Sequence, residues 1–351
     1  MNNTWIESNT FHHSKFKNLG RLVEAKRKKN LSISLCLPTL NEQRTIAKEI
    51  VIMKSELMIR YPLIDEIVVI DSGSIDNTRD IARSYEVAVH EADDILPHLE
   101  RYKGKGENLW KALYVTRGDI IVYIDADIKN IHHRFAYGLL GPLLLSDHIR
   151  FSKAFYDRPI LVGENKWRPT GGGRVTELVT RPLFSLFMPD LTQFVQPLSG
   201  EYAGYRHIFE AIPFHIGYGV ETGMLIDIHE KWGLDVMAQV DLDRRVHKNQ
   251  DTKALGRMAF VIIKTFLKRV QEQKRVAVNQ RLFDEMIQYN LVDEKLQPDI
   301  HILTENERPP IVQIPEYREK FMVNGPSWES AQQCRPNRST PSMDRRWERD
   351  R

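Results

Sequence analysis

Large apolar residues alternate with small ones in Leu31-Ser32-Ile33-Ser34-Leu35-Cys36-Leu37, which predicts a strand that Pro38 ends. The period then changes. Ile46, Ile50, Met53 and Leu57 recur every three to four residues, one face of a helix that Thr39 or Asn41 is able to cap. Ile67-Val68-Val69-Ile70 is apolar without alternation, as in a strand covered on both faces. A third strand is expected at 87–90, a helix at 107–116 after the loop Gly104-Lys105-Gly106, and a fourth strand at 119–124. This β-α-β-α-β order requires a mostly parallel sheet flanked by helices. Ligands of such sheets bind beyond the carboxyl ends of the strands. Three polar clusters fall there: Pro38-Thr39-Leu40-Asn41-Glu42, Asp71-Ser72-Gly73-Ser74 and Asp125-Ala126-Asp127.

The second half is less regular. A strand is expected at 149–155 and another at 235–242, with helices at 174–187 (bent or split by Pro182), 221–232 and 253–270. Beyond about Glu305 the chain gathers Pro, Ser, Gln and Arg and loses its period. The expected organisation is a basic lead-in over 1–30, a nucleotide-sugar half over 31–150, an acceptor-binding and helical half over 151–304, and an arm or disordered tail over 305–351.

Composition removes several classes. At 351 residues, 42% hydrophobic and 28% charged, the chain is neither collagen-like, disordered throughout nor disulfide-dense. No run reaches the roughly 18 apolar residues of a membrane span, and the polar first 30 residues hold no secretory core. Two cysteines, Cys36 and Cys334, suggest reduced thiols and a cytoplasmic enzyme. The net charge of +3 lives in the ends: residues 1–30 carry +5, residues 325–351 carry +2, and the rest is left at −4. The body therefore offers no electrostatic case for nucleic acid, and Lys26-Arg27-Lys28-Lys29 reads as a solvated run rather than a membrane patch.

Asp125 and Asp127, one residue apart after an apolar strand, are able to face one cleft and share a hard cation such as Mg²⁺ with a diphosphate. An isolated Asp-x-Asp is as readily a pair of helix caps; its place beside two other polar strand ends favours the chemical reading. Lys105 between two glycines sets an ammonium at a helix start, although an exposed loop would have the same composition. Gly171-Gly172-Gly173-Arg174-Val175-Thr176-Glu177 combines backbone N–H groups, a guanidinium and a hydroxyl, a set suited to a phosphate or carboxylate more than to a plain hinge. His247 gains interest only as a late ligand beside Asp127, and Glu221 opens a helix after Gly217-Tyr218-Gly219-Val220. His132-His133 has no partner at metal spacing and reads as surface.

Taken in order, Pro38-x-Leu-Asn-Glu42, Asp71-Ser-Gly-Ser74, Gly104-Lys-Gly-Glu107, Asp125-x-Asp127, Gly171 to Leu178, Gln196 to Glu201, Gly217 to Glu221 and Arg245-x-His-x-Asn249 resemble the glucosyl-3-phosphoglycerate synthases. These are retaining glycosyltransferases that make a precursor of the compatible solute glucosylglycerate. The resemblance covers roughly residues 31–266. It implies an α/β GT-A (nucleotide-diphospho-sugar transferase) fold with a mostly parallel sheet flanked by helices and a helical C-terminal extension. It implies that Pro38, Thr39, Leu40, Glu42, Ser72, Lys105, Asp125, Ala126, Glu221 and Arg245 bind the NDP-glucose donor, with Asp125 and Glu221 at the transferred sugar. Gly173, Arg174, Thr176 and Asn249 would hold 3-phosphoglycerate, while Asp127 and His247 would ligate Mg²⁺ or Mn²⁺. A cytoplasmic homodimer follows from the same resemblance. Ala126 departs from the Ser common in the family and spares both carboxylates. The rivals are a mannosyl-3-phosphoglycerate synthase, a GT-A transferase with a lipid or polysaccharide acceptor, a sugar-nucleotide-binding module without catalysis, and a nucleotidyltransferase.

Overall fold

The structure is a computed structural model that describes residues 4–158, 160–162, 166–168, 173–246 and 251–322. Its centre is an eight-stranded sheet built from β1 (Thr10–His12), β2 (Ile33–Thr39), β3 (Glu66–Asp71), β4 (Ala88–Glu91), β5 (Ile120–Tyr123), β6 (Phe151–Asp157), β7 (Tyr202–Tyr205) and β8 (Met237–Arg244). The spatial order is β1-β8-β6-β7-β5-β2-β3-β4. Every pairing is parallel except those of β7 with β5 and β6.

Both faces are covered, and the sequence pattern follows from that. Leu35 and Leu37 of β2 join Val69, Val122 and the helix Arg134–Leu145 on one face. Cys36 turns the other way, to Val68, Ile70, Tyr123 and the helices Lys105–Val115 and Val220–Trp232. Large-small alternation in β2 thus records a roomy face and a tight one, not a wet one. The helix start at Arg174 runs into a wide turn over Thr176–Thr180 and then Arg181–Phe187, so Pro182 sits at the beginning of the second segment, where its missing N–H costs nothing.

Three expectations need correction. Residues 4–30 are not a lead-in to an ordered body. They form a helix at Thr4–Asn9, the edge strand β1 and a helix at Leu19–Lys28. Leu19, Leu22, Val23 and Lys26 are buried at helical spacing, with the Lys26 ammonium on Asp65 at 2.6 Å; the run of lysines masks that periodicity. The stretch after Glu305 is not a tail as far as Met322. Glu307–Arg308 pairs with Phe214–His215, Arg308 forks onto the buried Glu107 carboxylate, and Tyr317 is wholly buried. Finally, the C-terminal extension is not only helical. After the helix Thr252–Glu272 comes an antiparallel hairpin, Glu285–Val292 with Lys295–Ile302. Residues 323–351 lie outside the described residues.

Candidate active site

Thr39 ends β2 in register with Asp71 at the end of β3. The Asp71 carboxylate is fully buried and accepts from the backbone N–H groups of Gly73 and Ser74 and from the hydroxyls of Ser74 and Thr39. That set folds the turn around Gly73, whose φ of +88° favours glycine. Asn41, itself at φ +59°, donates its backbone N–H to the Ser74 hydroxyl oxygen and accepts the Ile75 N–H at its Oδ1, so the two strand-end loops are stitched together. Ser72 donates its N–H to the Thr39 carbonyl. Pro38 and Ser72 are half-buried and Leu40 exposed, a ledge of the kind a planar base rests on.

Across the sheet, β5 carries the chain to Asp125. The Lys105 ammonium bridges Asp125 (2.5 Å) and the Glu221 carboxylate (2.9 Å), so the starts of two helices are tied to one strand end. The flanking glycines serve a different purpose from the one the sequence suggests. A side chain on Gly104 or Gly106 would strike the backbone of Ile216 or His215, so they admit a neighbouring strand rather than a ligand. Arg245 is buried, with one Nη2 on both Asp125 (3.0 Å) and Asp127 (2.8 Å) and its Nε 3.1 Å from Glu201. The chain around it is strapped down: Arg245 N–H donates to the Asp157 carbonyl, and Val246 N–H to Asn130 Oδ1. Asp127 is the most open of these carboxylates, its side chain 38% exposed.

Burial would raise the Asp125 carboxyl, yet the Lys105 and Arg245 charges outweigh it and hold it at about 2. Burial opposes the charge on Lys105 as well, and Asp125 and Glu221 keep it well above the ordinary lysine range. Glu42 behaves differently. Half-burial and the Asp127 charge push it up to about 7, although the Thr45 hydroxyl opposes that. Thr45 also donates to the Ala126 carbonyl at 2.6 Å, which fixes the middle of the Asp-x-Asp turn while the Ala126 methyl packs inward.

Several contributors escape the sequence reading. Glu201, at the end of the Gln196–Glu201 run, is fully buried, accepts from Tyr156 at 2.5 Å, and is raised by burial despite Arg245. A lysine within the apolar stretch Phe151-Ser152-Lys153-Ala154-Phe155 was a usable signal. Lys153 is 1% exposed, donates to the Ser199 carbonyl at 2.7 Å, and is depressed to about 7 by burial and by Lys105. It holds Gly200 against the cluster, where any side chain would strike Asp125 and Lys105.

Gly173 has a φ of +82° and leads into Arg174 and the buried Thr176. Arg181 forks onto Glu177 and donates to the carbonyls of Thr192, Phe194 and Val195, which fastens this segment to the loop that continues through Gln196 to Gly200. Gln196 donates to the Tyr156 carbonyl. The segment over 173–181 and the carboxylate cluster thus share one connecting loop. Gly171, Gly172, His247 and Asn249 lie outside the described residues.

Residues 34–135 match the glycosyl transferase family 2 domain. The chain is 56% identical to the glucosyl-3-phosphoglycerate synthase of Petrotoga mobilis over 319 residues, 90% of this chain and 97% of that protein. A crystal structure of mannosyl-3-phosphoglycerate synthase from Rubrobacter xylanophilus matches with a TM-score of 0.81 at 37% identity, covering 88% of this chain and 97% of that one. A crystal structure of the Mycobacterium tuberculosis glucosyl-3-phosphoglycerate synthase in complex with Mn²⁺, UDP-glucose and phosphoglyceric acid matches at 0.75 and 36% identity, covering 87% and 98%. Both TM-scores show that the two crystal structures share the overall fold of this chain.

Proposed function

The chain belongs to the glucosyl-3-phosphoglycerate synthase family, and from that premise we propose that it moves glucose from an NDP-glucose to 3-phosphoglycerate with retention at the anomeric carbon. The observation that carries the reading is the paired bridging of Lys105 and Arg245 across Asp125, Asp127, Glu201 and Glu221 at the strand ends. Thr39, Leu40 and Ser72 take the base and ribose, and Asp125 and Glu221 take the sugar hydroxyls, both aimed by Lys105. Gly173, Arg174 and Thr176 take the acceptor's carboxylate or phosphate, and Asn249 is assigned to the acceptor by the family motif alone.

The donor set suits a hard cation. Asp127 presents an open carboxylate, and the proton that Glu42 keeps up to about pH 7 marks negative charge beside it that a cation would neutralise. Asp127 and His247 would hold Mg²⁺ or Mn²⁺, which neutralises charge on the departing diphosphate. Transfer is a front-face substitution. The acceptor hydroxyl bonds to C1 as the C1–O bond to the β-phosphate breaks, and the hydroxyl proton passes to the departing phosphate oxygen. The residues' part is orientation, the largest contribution open to a fixed scaffold without a nucleophile.

A homodimer accompanies this reading. On the Glu285–Val292 strand the polar Gln288 and Asn290 face the helix Thr252–Glu272, while Ile287, Tyr289 and Leu291 point outward, more than half exposed. Such a patch is what a second copy covers. No helix among the described residues is long and apolar enough to cross a membrane, and Cys36 is a buried free thiol, which supports a cytoplasmic setting.

The likeness to the Rubrobacter xylanophilus mannosyl enzyme supports a second reading, with mannose as the transferred sugar. Nucleotide release with Mg²⁺, scanning glucose and mannose donors against 3-phosphoglycerate and glycerate, tests both. Fast release is expected only with a glucose donor and 3-phosphoglycerate. Preference for a mannose donor selects the second reading, and indifference to the acceptor phosphate overturns the acceptor assignment. A glycosyl adduct trapped on Glu221 would overturn the front-face step.

A further inference from the structure

We propose that His12, His13 and Asp243 form a second cation site, for one imidazole-preferring divalent ion such as Zn²⁺, separate from the strand-end carboxylates. The three residues come together from opposite ends of the chain. His12 closes the edge strand β1, and His13 begins the short helical turn His13–Phe16. β1 pairs with β8 only as far as His12 opposite Asp241; beyond that a bulge interrupts β8 before Arg244. Asp243 sits in that bulge at φ +66°, its N–H on Asp241 Oδ1. A non-glycine residue held in that region costs energy, and bulges commonly re-aim a side chain. Here the side chain is aimed at two histidines: Asp243 Oδ1 lies 2.9 Å from His12 Nε2, and Oδ2 lies 2.7 Å from His13 Nε2. All three ligand atoms fall within 4.8 Å of one another.

On each ring the nitrogen turned away from Asp243 has a polar partner of its own. His13 Nδ1 is 2.9 Å from the hydroxyl of Tyr137, which is 4% exposed, and His12 Nδ1 is 2.7 Å from Ser14 Oγ. With the ring protons on Nδ1, both Nε2 lone pairs face carboxylate oxygens, and a cation is needed between them. Without one, the protons move to Nε2 and His12 Nδ1 accepts the Ser14 N–H instead. A second polar group holding the outer nitrogen is the usual support of a metal-bound imidazole. Arg134 Nε lies 3.7 Å from Asp243 Oδ2 and competes with the cation for that oxygen. Two imidazoles and one carboxylate suit Zn²⁺, Ni²⁺ or Co²⁺ and not Mg²⁺. Occupation would fasten residues 10–13 to the end of the strand that leads directly to Arg245.

The test is Zn²⁺ titration of the full chain by calorimetry in excess Mg²⁺, with Co²⁺ absorption as a second readout. We expect one saturable Zn²⁺ equivalent in the wild type and in Asp127→Asn, lost in the His12→Gln/His13→Gln double variant. Tyr137→Phe should weaken binding by about tenfold or more. Because His12 is exposed and Gln keeps a donor for Asp243, the single His12→Gln variant, checked by circular dichroism, guards against misfolding of the double variant. Undiminished uptake in folded His12→Gln, uptake abolished by Asp127→Asn, or no saturable uptake in the wild type would overturn the site.

Discussion

On the donor side of the cleft, Asp125, Asp127, Glu201 and Glu221 leave strand ends or a helix start, and Lys105 and Arg245 hold them all. The segment proposed for the acceptor starts from a glycine at φ +82° and continues into a wide helical turn that Arg181 pins to a loop. The first is a stiff lattice of opposite charges whose buried partners, the open Asp127 excepted, cannot be removed singly at low cost, since a stranded buried charge is worse than a missing pair. The second, in the proposed reading, meets an anion that arrives with its own charge through a guanidinium and a hydroxyl. The difference teaches where specificity for each substrate resides. In the proposed reading, donor geometry is built into the sheet, whereas acceptor affinity depends on a few donors in one short segment.

The sharpest way to break that division is Asp127→Ala. This residue is exposed enough to be cut back without a cavity, and Arg245 keeps Asp125 and Glu201. Turnover should fall by at least the ~10²–10³-fold expected when charge stabilisation of a leaving group is lost. Thermal stability should stay close to the wild type, and the acceptor KM of any residual activity should be unchanged. Nucleotide-release kinetics at saturating donor measure this directly, and near-normal turnover would show that the carboxylate cluster is structural only.

A smaller effect is expected from Arg174→Ala. Losing a charge-assisted contact to a small anion is worth about 1.5–3 kcal/mol, which is roughly ten- to a hundredfold in acceptor KM. Donor KM should not move. If acceptor kinetics are untouched, the anion site lies elsewhere and the two sides of the cleft are not divided as argued.

How much of this was legible depends on whether the signal is local. Asp125-Ala126-Asp127 follows an apolar strand directly, so its place at the sheet's carboxyl edge could be read from neighbours. The motifs at Thr39, Asp71 and Gly173 were readable for the same reason. Lys153 was harder, because its burial rests on Ser199 and Tyr202, some fifty residues away in the chain. Glu107 and Arg308 form a buried fork across 201 residues, which no window of sequence contains. The helix Leu19–Lys28 was hidden by composition: Leu19, Leu22, Val23 and Lys26 keep helical spacing, but four consecutive basic residues suggest solvent. The hairpin at 285–302 does alternate, yet its apolar side faces outward, so the in-out rule that places a strand against the core misplaces it.

The finest test concerns Glu42, which stands where the ledge for the base meets the carboxylate cluster. Its carboxyl titrates near 7 in the folded chain against an ordinary value of 4.5, raised by half-burial and then by Asp127. Between those two values the folded state holds more protons than the unfolded one, so Glu42 makes the cation-free protein less stable as pH rises through that window. Glu42→Gln removes the penalty. The variant should melt about 1–2 °C above the wild type at pH 8 with chelator present, a small shift for a half-exposed group in a chain of this size, and the gap should close below pH 4.5. Mn²⁺ should reverse the order, because the ionised Glu42 adds negative charge beside Asp127 that only the wild type offers to a cation. A gap that persists well below pH 4.5, or Mn²⁺ stabilising both proteins equally at pH 8, would separate Glu42 from the proposed donor side.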